Sequence, residues 1–345
     1  MRLLRNLVLL CMTGSLLTGC YVLQAANGQI RFLAQRKPIA KVIADPATPS
    51  TLKSRLEYVQ AAREFASHEL GLPDNKSYRS YVDLKRDYVL WNVFAAPEFS
   101  VYPRQWCFPV AGCVVYRGYF NDQSAQRYAD KLRHEGLDVT VSGVPAYSTL
   151  GHFNDPVIST MMHWSNSQVA ATLFHELAHQ LVYVKGDSAF NEAFATVVAD
   201  AGIKRWLQQQ NRQEAWPAWQ AYEQRGNAFS ALLLETRQQL RALYNSNESI
   251  ASKREHKNQI LADLKSRYQS LKQQWNGYSG YDKWMDRPLG NADFVAIATY
   301  QQCVPKFETL LHKVDEDLPK FYAAVATLAK DKGTARQSFC TAEAN

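Results

Sequence analysis

The sequence predicts an α+β fold in which a small mixed β-sheet near the middle of the chain sits among many helices. Three observations carry this. Apolar residues at helical spacing open the chain, and β-branched and aromatic runs with turn residues between them occupy 87–150. Long, polar, helical stretches dominate after about Gly202. The 345 residues are 46% hydrophobic and include eight Trp, enough to fill a core and too apolar for a disordered chain.

Residues 1–19 read as a signal peptide rather than part of the fold. Arg2 and Arg5 precede the apolar run Leu7–Met12, and small and apolar residues follow to Cys20. The run is short for a membrane span. Leu17-Thr18-Gly19-Cys20 resembles the bacterial lipobox, in which cleavage leaves a lipidated Cys as the first residue. Cys20 is therefore the expected lipid attachment site. Tyr21, not Asp, follows it, so the expected location is the outer membrane, facing the periplasm. Loss of Arg2 and Arg5 takes the formal charge from +7 to +5, a mild excess. The basic residues are scattered, with no stripe of interleaved aromatics, which argues against a nucleic-acid partner.

Residues 20–85 form an N-terminal helical segment. Leu52, Leu56, Val59, Ala62 and Phe65 recur at three- and four-residue steps, Pro38 and Pro46–Pro49 divide the segment, and Pro73-Asp74-Asn75 closes it. Residues 86–210 form the central core. Tyr88–Phe94 and Val114–Tyr116 read as strands, and Asn121–Glu135 as a helix stopped by Gly136. Asp138–Val141 and Ala146–Leu150 are expected as short strands. Residues 211–280 predict an antiparallel helical hairpin, with arms 220–244 and 249–274. Its charged content reads as a solvated face, with a protein partner as the alternative use. Residues 281–345 form a C-terminal helical segment, in which 291–331 reads as two helices broken at Pro305 and Pro319.

Four Cys remain once Cys11 leaves with the signal and Cys20 takes lipid: Cys107, Cys113, Cys303 and Cys340. Three pairings are open. Cys107 and Cys113 could close a short loop, and Cys303–Cys340 would then tie down the C-terminus. An exported compartment permits both.

The chemistry concentrates at His175-Glu176-Leu177-Ala178-His179. Two His four apart on a helix lie on one face, one turn apart, so both imidazoles can reach one tetrahedral metal. Glu176 can then touch an attacking water without ligating the ion. Val169, Ala170, Leu173, Phe174, Leu177 and Leu181 make an apolar stripe that leaves the two His and Glu176 outside it. The first helix should end near Val184, with a turn at Lys185–Ser188. In a tight hairpin Glu192 then comes level with both His and completes a two-His, one-Glu set for one Zn2+, leaving a fourth position open.

Asn191-Glu192-Ala193-Phe194-Ala195 resembles the matching stretch of the gluzincin metallopeptidases, although only twelve residues separate His179 from Glu192. Leu17–Gln29, Trp91–Ser100, Trp106–Phe120, Gly143–Pro156 and Phe174–Ala195 together resemble a bacterial family called putative aminopeptidases. The resemblance implies a zincin-like core and removal of N-terminal residues from peptides. Within that frame Tyr300 is the first candidate for stabilising the oxyanion and Tyr147 the second. Ala146-Tyr147-Ser148-Thr149-Leu150 is the candidate edge strand for pairing with substrate, and Glu98 the candidate for holding its ammonium. Asp200 could orient a ligating His or form a surface salt bridge, whereas His152 and His163 read as surface residues or as neighbours of the ligands rather than ligands. The rival reading is a non-catalytic lipoprotein that uses zinc as a staple and its helical hairpin as a partner surface. A structural zinc would be expected to have four protein ligands, often with Cys, and this motif offers three.

Overall fold

The computed structural model describes residues 21–108, 112–295, 303–331, 336, 339 and 340. The expected signal peptide, Cys20 and Tyr300 lie outside the described residues. Helix α1 (21–34) leads to strand β1 (Lys37–Pro38), α2 (Ile39–Ala44) and α3 (Ser50–His68). On α3 the stripe of Leu56, Val59, Ala62, Phe65 and Ala66 is buried, as its spacing dictates. The strands that follow are β2 (Ser80–Val82), β3 (Leu90–Pro97), β4 (Trp106–Phe108), β5 (Gly112–Val114) and β6 (Arg117–Tyr119). Helix α4 (Asp122–His134), β7 (Leu137–Val144) and β8 (Val157–Ile158) complete this half.

Three small sheets result among the described residues. Strand β3 is central to the largest, antiparallel to β6 on one side and to β7 on the other. Alternation along β3 serves two layers. Val93 and Ala95 pack with Ala125, Ala129 and Leu132 of α4, while Phe94 and Ala96 pack with Ala292 and Val295. Strand β2 pairs antiparallel with β1 and parallel with β8. Strands β4 and β5 form a hairpin bridged by Cys107–Cys113.

The second half is helical: α5 (Asn166–Leu181), α6 (Ser188–Gln209), α7 (Trp216–Tyr244), α8 (Ile250–Gln274), α9 (Asp282–Met285), α10 (Val304–Lys313) and α11 (Leu318–Lys330). Helices α3, α5, α6, α10 and α11 share one core containing Phe65, Phe174, Phe194, Phe307 and Phe321. Gly202 lets α6 lie close to α5: a Cβ there would stand 2.7 Å from Phe174 and 2.8 Å from Leu70. Cys303–Cys340 ties the start of α10 to the helical residues 339–340. Helices α7 and α8 run back along each other, with Phe229 against Tyr268 and Glu235 paired with Arg267. No helix among the described residues is long and apolar enough to cross a membrane.

Several boundaries differ from the sequence expectation. Ala146–Leu150 is not a strand. Pro145 lacks an N–H, and the next turn is claimed by buried Asp155, which accepts from Thr149 N at 2.8 Å and Thr149 Oγ1 at 2.7 Å. Such local side-chain bonds compete with a sheet ladder. Of Val114–Tyr116 only Val114 is in a strand, and the next strand starts at Arg117. Pro305 and Pro319 sit in the first turns of α10 and α11, so they start helices rather than break them.

Candidate metal centre

Helix α5 begins with a capping box: Ser165 Oγ accepts from Gln168 N at 3.2 Å, and Gln168 Oε1 accepts from Ser165 N at 2.8 Å. Its buried stripe of Val169, Ala170, Leu173, Phe174, Leu177 and Ala178 fixes its rotation. That rotation leaves His175 and Glu176 facing a cavity of about 470 Å³.

The helix ends at Leu181, earlier than the sequence suggested, because Asn191 captures the backbone of Val184. Asn191 Nδ2 donates to Val184 O at 2.8 Å, and its Oδ1 accepts from Val184 N at 2.8 Å. Gly186, at φ +83°, makes the turn. Asp187 then caps α6 by accepting from Phe190 N and also accepts from Arg336 Nε at 3.0 Å. The side chain next to Glu192 thus closes the hairpin that aims Glu192 back at α5. Asn191→Ala removes two buried bonds, and urea unfolding should show a loss of about 1–3 kcal/mol. The same variant should bind zinc more weakly, by about tenfold or more, since groups that orient ligands act at that scale.

Three donor atoms converge. His175 Nε2 lies 3.1 Å from Glu192 Oε2 and 3.1 Å from His179 Nε2, and His179 Nε2 lies 3.6 Å from Glu192 Oε2. His179 is 6% exposed, and His175 and Glu192 are each 23% exposed. Hydrogen bonding alone cannot satisfy this triangle, because one proton on His175 Nε2 serves only one of its two neighbours. A tetrahedral zinc with bonds of about 2.0–2.1 Å would set its ligand atoms about 3.3 Å apart. The three separations fit one face of that tetrahedron, so His175, His179 and Glu192 form a donor set suited to one ion.

The electrostatics agree. Burial raises the Glu192 carboxyl, but hydrogen bonds and charge from both His outweigh it and bring its pKa down to about 2. Burial lowers His175, yet the Glu192 hydrogen bond and the charges of Glu176, Glu192 and Asp200 raise it on balance. Glu176 is raised, chiefly by burial and partly offset by the two His.

The other sequence candidates are placed as follows. Asp200 faces the same cavity, but its Oδ1 accepts from Trp219 Nε1 at 3.2 Å instead of orienting a His ring. His179 Nδ1 is buried without a hydrogen-bond partner among the described residues. Glu98 is paired with Arg254 of α8, at 2.6 and 3.0 Å, and is not among the residues that line the cavity at His175. Tyr147 packs on Phe32 and Phe120, with its hydroxyl on Gln29 of α1, and the strand expected at Ala146–Leu150 does not form. His152 and His163 are not in the donor group.

Sequence reasoning placed Asn191 in a motif but missed its hold on Val184, and it missed Trp219, Tyr222 and Glu223 of α7, which complete the cavity wall. It also missed Tyr78, whose backbone is left-handed at φ +61° and whose hydroxyl is buried near Glu176 and Ser148. Burial and then the Glu176 charge push the Tyr78 hydroxyl well above its ordinary value.

Comparison with family models matches residues 20–339 to the one described as "Putative aminopeptidase". No curated protein and no solved structure matches the chain.

Proposed function

The chain belongs to the "Putative aminopeptidase" family, and from that premise we propose that it is a zinc-dependent peptidase that trims peptides, built on a zincin-like core. The observation that carries the metal is the triangle of His175 Nε2, His179 Nε2 and Glu192 Oε2, with Glu176 beside it on the cavity wall. A bound zinc supplies Lewis acidity, polarising the scissile carbonyl and lowering the pKa of the attacking water.

The chain's own residues do the rest. Glu176 accepts the water's proton and delivers it to the leaving amine. Its raised carboxyl is suited to both halves of that task, because a shuttle works best with a pKa nearer the working pH. Asn191 and the α5–α6 turn hold Glu192 in place. The lipobox-like tetrad ending at Cys20 supports a second part of the reading: a lipid-anchored protein of the outer membrane, facing the periplasm.

Purified protein should contain about one zinc per chain. A chelator should abolish hydrolysis of a fluorogenic peptide pool, and stoichiometric zinc should restore it. A chain that hydrolyses peptides equally well with its metal stripped would end the proposal.

A further inference from the structure

Helix α1 is held to the body by one face. Tyr21 stacks on Phe108 with ring centroids 5.3 Å apart, and Gln24 Nε2 donates to Gly118 O at 3.2 Å. Phe32 is buried against Phe120 and Tyr147. Gly28 lets the helix sit on Phe120, since a Cβ there would stand 2.2 Å from its ring. With that face packed, an ordinary surface helix turns polar residues outward. Here Val22, Ala26, Ile30 and Ala34 follow at four-residue steps and are all exposed, so they make one outward stripe. Leu23 lies beside it. Val22, Leu23 and Ile30 are 50%, 70% and 67% exposed. Single exposed apolar side chains are ordinary, but a stripe along a whole helix marks a contact surface.

Two observations say what covers it. Tyr21, where α1 begins, directly follows Cys20, the lipid attachment site expected from the sequence. Acyl chains on Cys20 put the first turn of α1 at the bilayer surface. The second observation is charge. Residues 21–44 contain Arg31, Arg36, Lys37 and Lys41 and no Asp or Glu, and Arg31, Lys37 and Lys41 are exposed. Basic residues beside an apolar stripe suit an anionic phospholipid surface. At about 21 Å the helix is too short to span a bilayer, but it is long enough to lie in one. Arg36 Nη1 donates to Phe153 O at 2.6 Å, which brings exposed Phe153 beside the end of α1.

We propose that the outer face of α1 lies in the surface of an anionic phospholipid bilayer. Val22, Leu23, Ala26 and Ile30 enter the acyl region, and Arg31, Lys37 and Lys41 meet the headgroups. The inference rests on the lipid-anchored reading and goes beyond it. The membrane gains a second contact, which holds the body in one orientation instead of on a tether.

The test is vesicle flotation of residues 20–345 carrying Cys20→Ser, the chain after signal removal and without lipid. This form keeps every described residue. The vesicles are phosphatidylethanolamine mixed with phosphatidylglycerol, or phosphatidylcholine alone. Val22→Gln/Leu23→Gln/Ile30→Gln should lower partition onto the mixed vesicles by at least about tenfold, because the apolar burial is lost. Arg31→Gln/Lys37→Gln/Lys41→Gln should lower it by about fivefold per charge, and should leave the weaker binding to phosphatidylcholine unchanged. Gln is a good helix former and all six side chains are exposed, so the melting temperature should hold. A wild type that floats with the mixed vesicles no better than the α1 variant, or with neither vesicle, overturns the proposal. So does a wild-type dimer in sedimentation equilibrium that the α1 variant splits, which would give the stripe to a second copy. Mass analysis of the full-length chain expressed in a bacterium reads acyl chains on Cys20 and keeps the two ideas apart. Acylated Cys20 without stripe-dependent flotation undoes only the surface. Stripe-dependent flotation with unmodified Cys20 undoes only the anchor.

Discussion

Glu176→Gln should lower peptide turnover by about 10²- to 10⁴-fold, the range supplied by a positioned general base. Zinc content should be unchanged, because Glu176 is not one of the three converging donors. The substitution keeps size and shape and removes only the ability to take a proton. It also removes a carboxyl whose ionisation burial opposes, so thermal stability should hold or rise slightly. The sign follows from a folded-state pKa raised above the unfolded one. The ionised acid weakens the fold as pH climbs from the unfolded value through the folded value, and Gln escapes that loss. Stopped assays on zinc-loaded wild type and variant provide the comparison. A variant that keeps more than about a tenth of wild-type turnover, with full zinc, would remove Glu176 from the mechanism.

The parts of this centre differ in how legible they were. The paired His could be read because helical geometry is local: four residues return to the same face whatever the rest of the chain does. Glu192 could be read because the link is so short that few hairpins exist. The stop of α5 at Leu181 was not legible, since it depends on Asn191 reaching back to Val184, and an Asn in a helix gives no notice of which backbone it will bind. The strand at Ala146–Leu150 was misread for a similar reason. Its side chains suit a sheet, but buried Asp155 takes the backbone first. Glu98 illustrates long-range pairing: its partner, Arg254, lies 156 residues away, and no local pattern links them. The charged content of the hairpin reads as a solvated face, and nothing local singles out Glu223 or its aromatic neighbours. Only the packed structure brings Trp219 and Glu223 opposite His175. Local periodicity and a short link thus brought together three residues that could hold a metal, while the wall that faces them depends on how α7 packs against α6.

His179→Ala and Glu192→Gln should each weaken zinc binding by about 100-fold or more, since even replacing groups that merely orient ligands costs about 10- to 100-fold. They should differ in pH dependence. Without metal, His175 and Glu192 form a charged pair: Glu192 is ionised down to about 2, and His175 holds its proton to higher pH than a free imidazole. Zinc must therefore displace a proton from His175 but none from Glu192 near neutral pH. Wild-type affinity should fall about tenfold per pH unit below the raised His175 value and level off above it. In Glu192→Gln the carboxylate that holds this proton is gone, and burial, which opposes a charged imidazole, becomes the stronger influence on His175. The onset of the fall should then move to lower pH even as the plateau affinity drops. In His179→Ala the Glu192–His175 contact remains, so the plateau should drop with the onset near its wild-type position. Competition titrations with a zinc-sensitive dye between pH 5 and 8, within about the range where imidazoles titrate, resolve the two effects. If Glu192→Gln leaves both plateau and onset where they were, the carboxylate is not a ligand. The two imidazoles would then have to hold the ion with an oxygen from elsewhere.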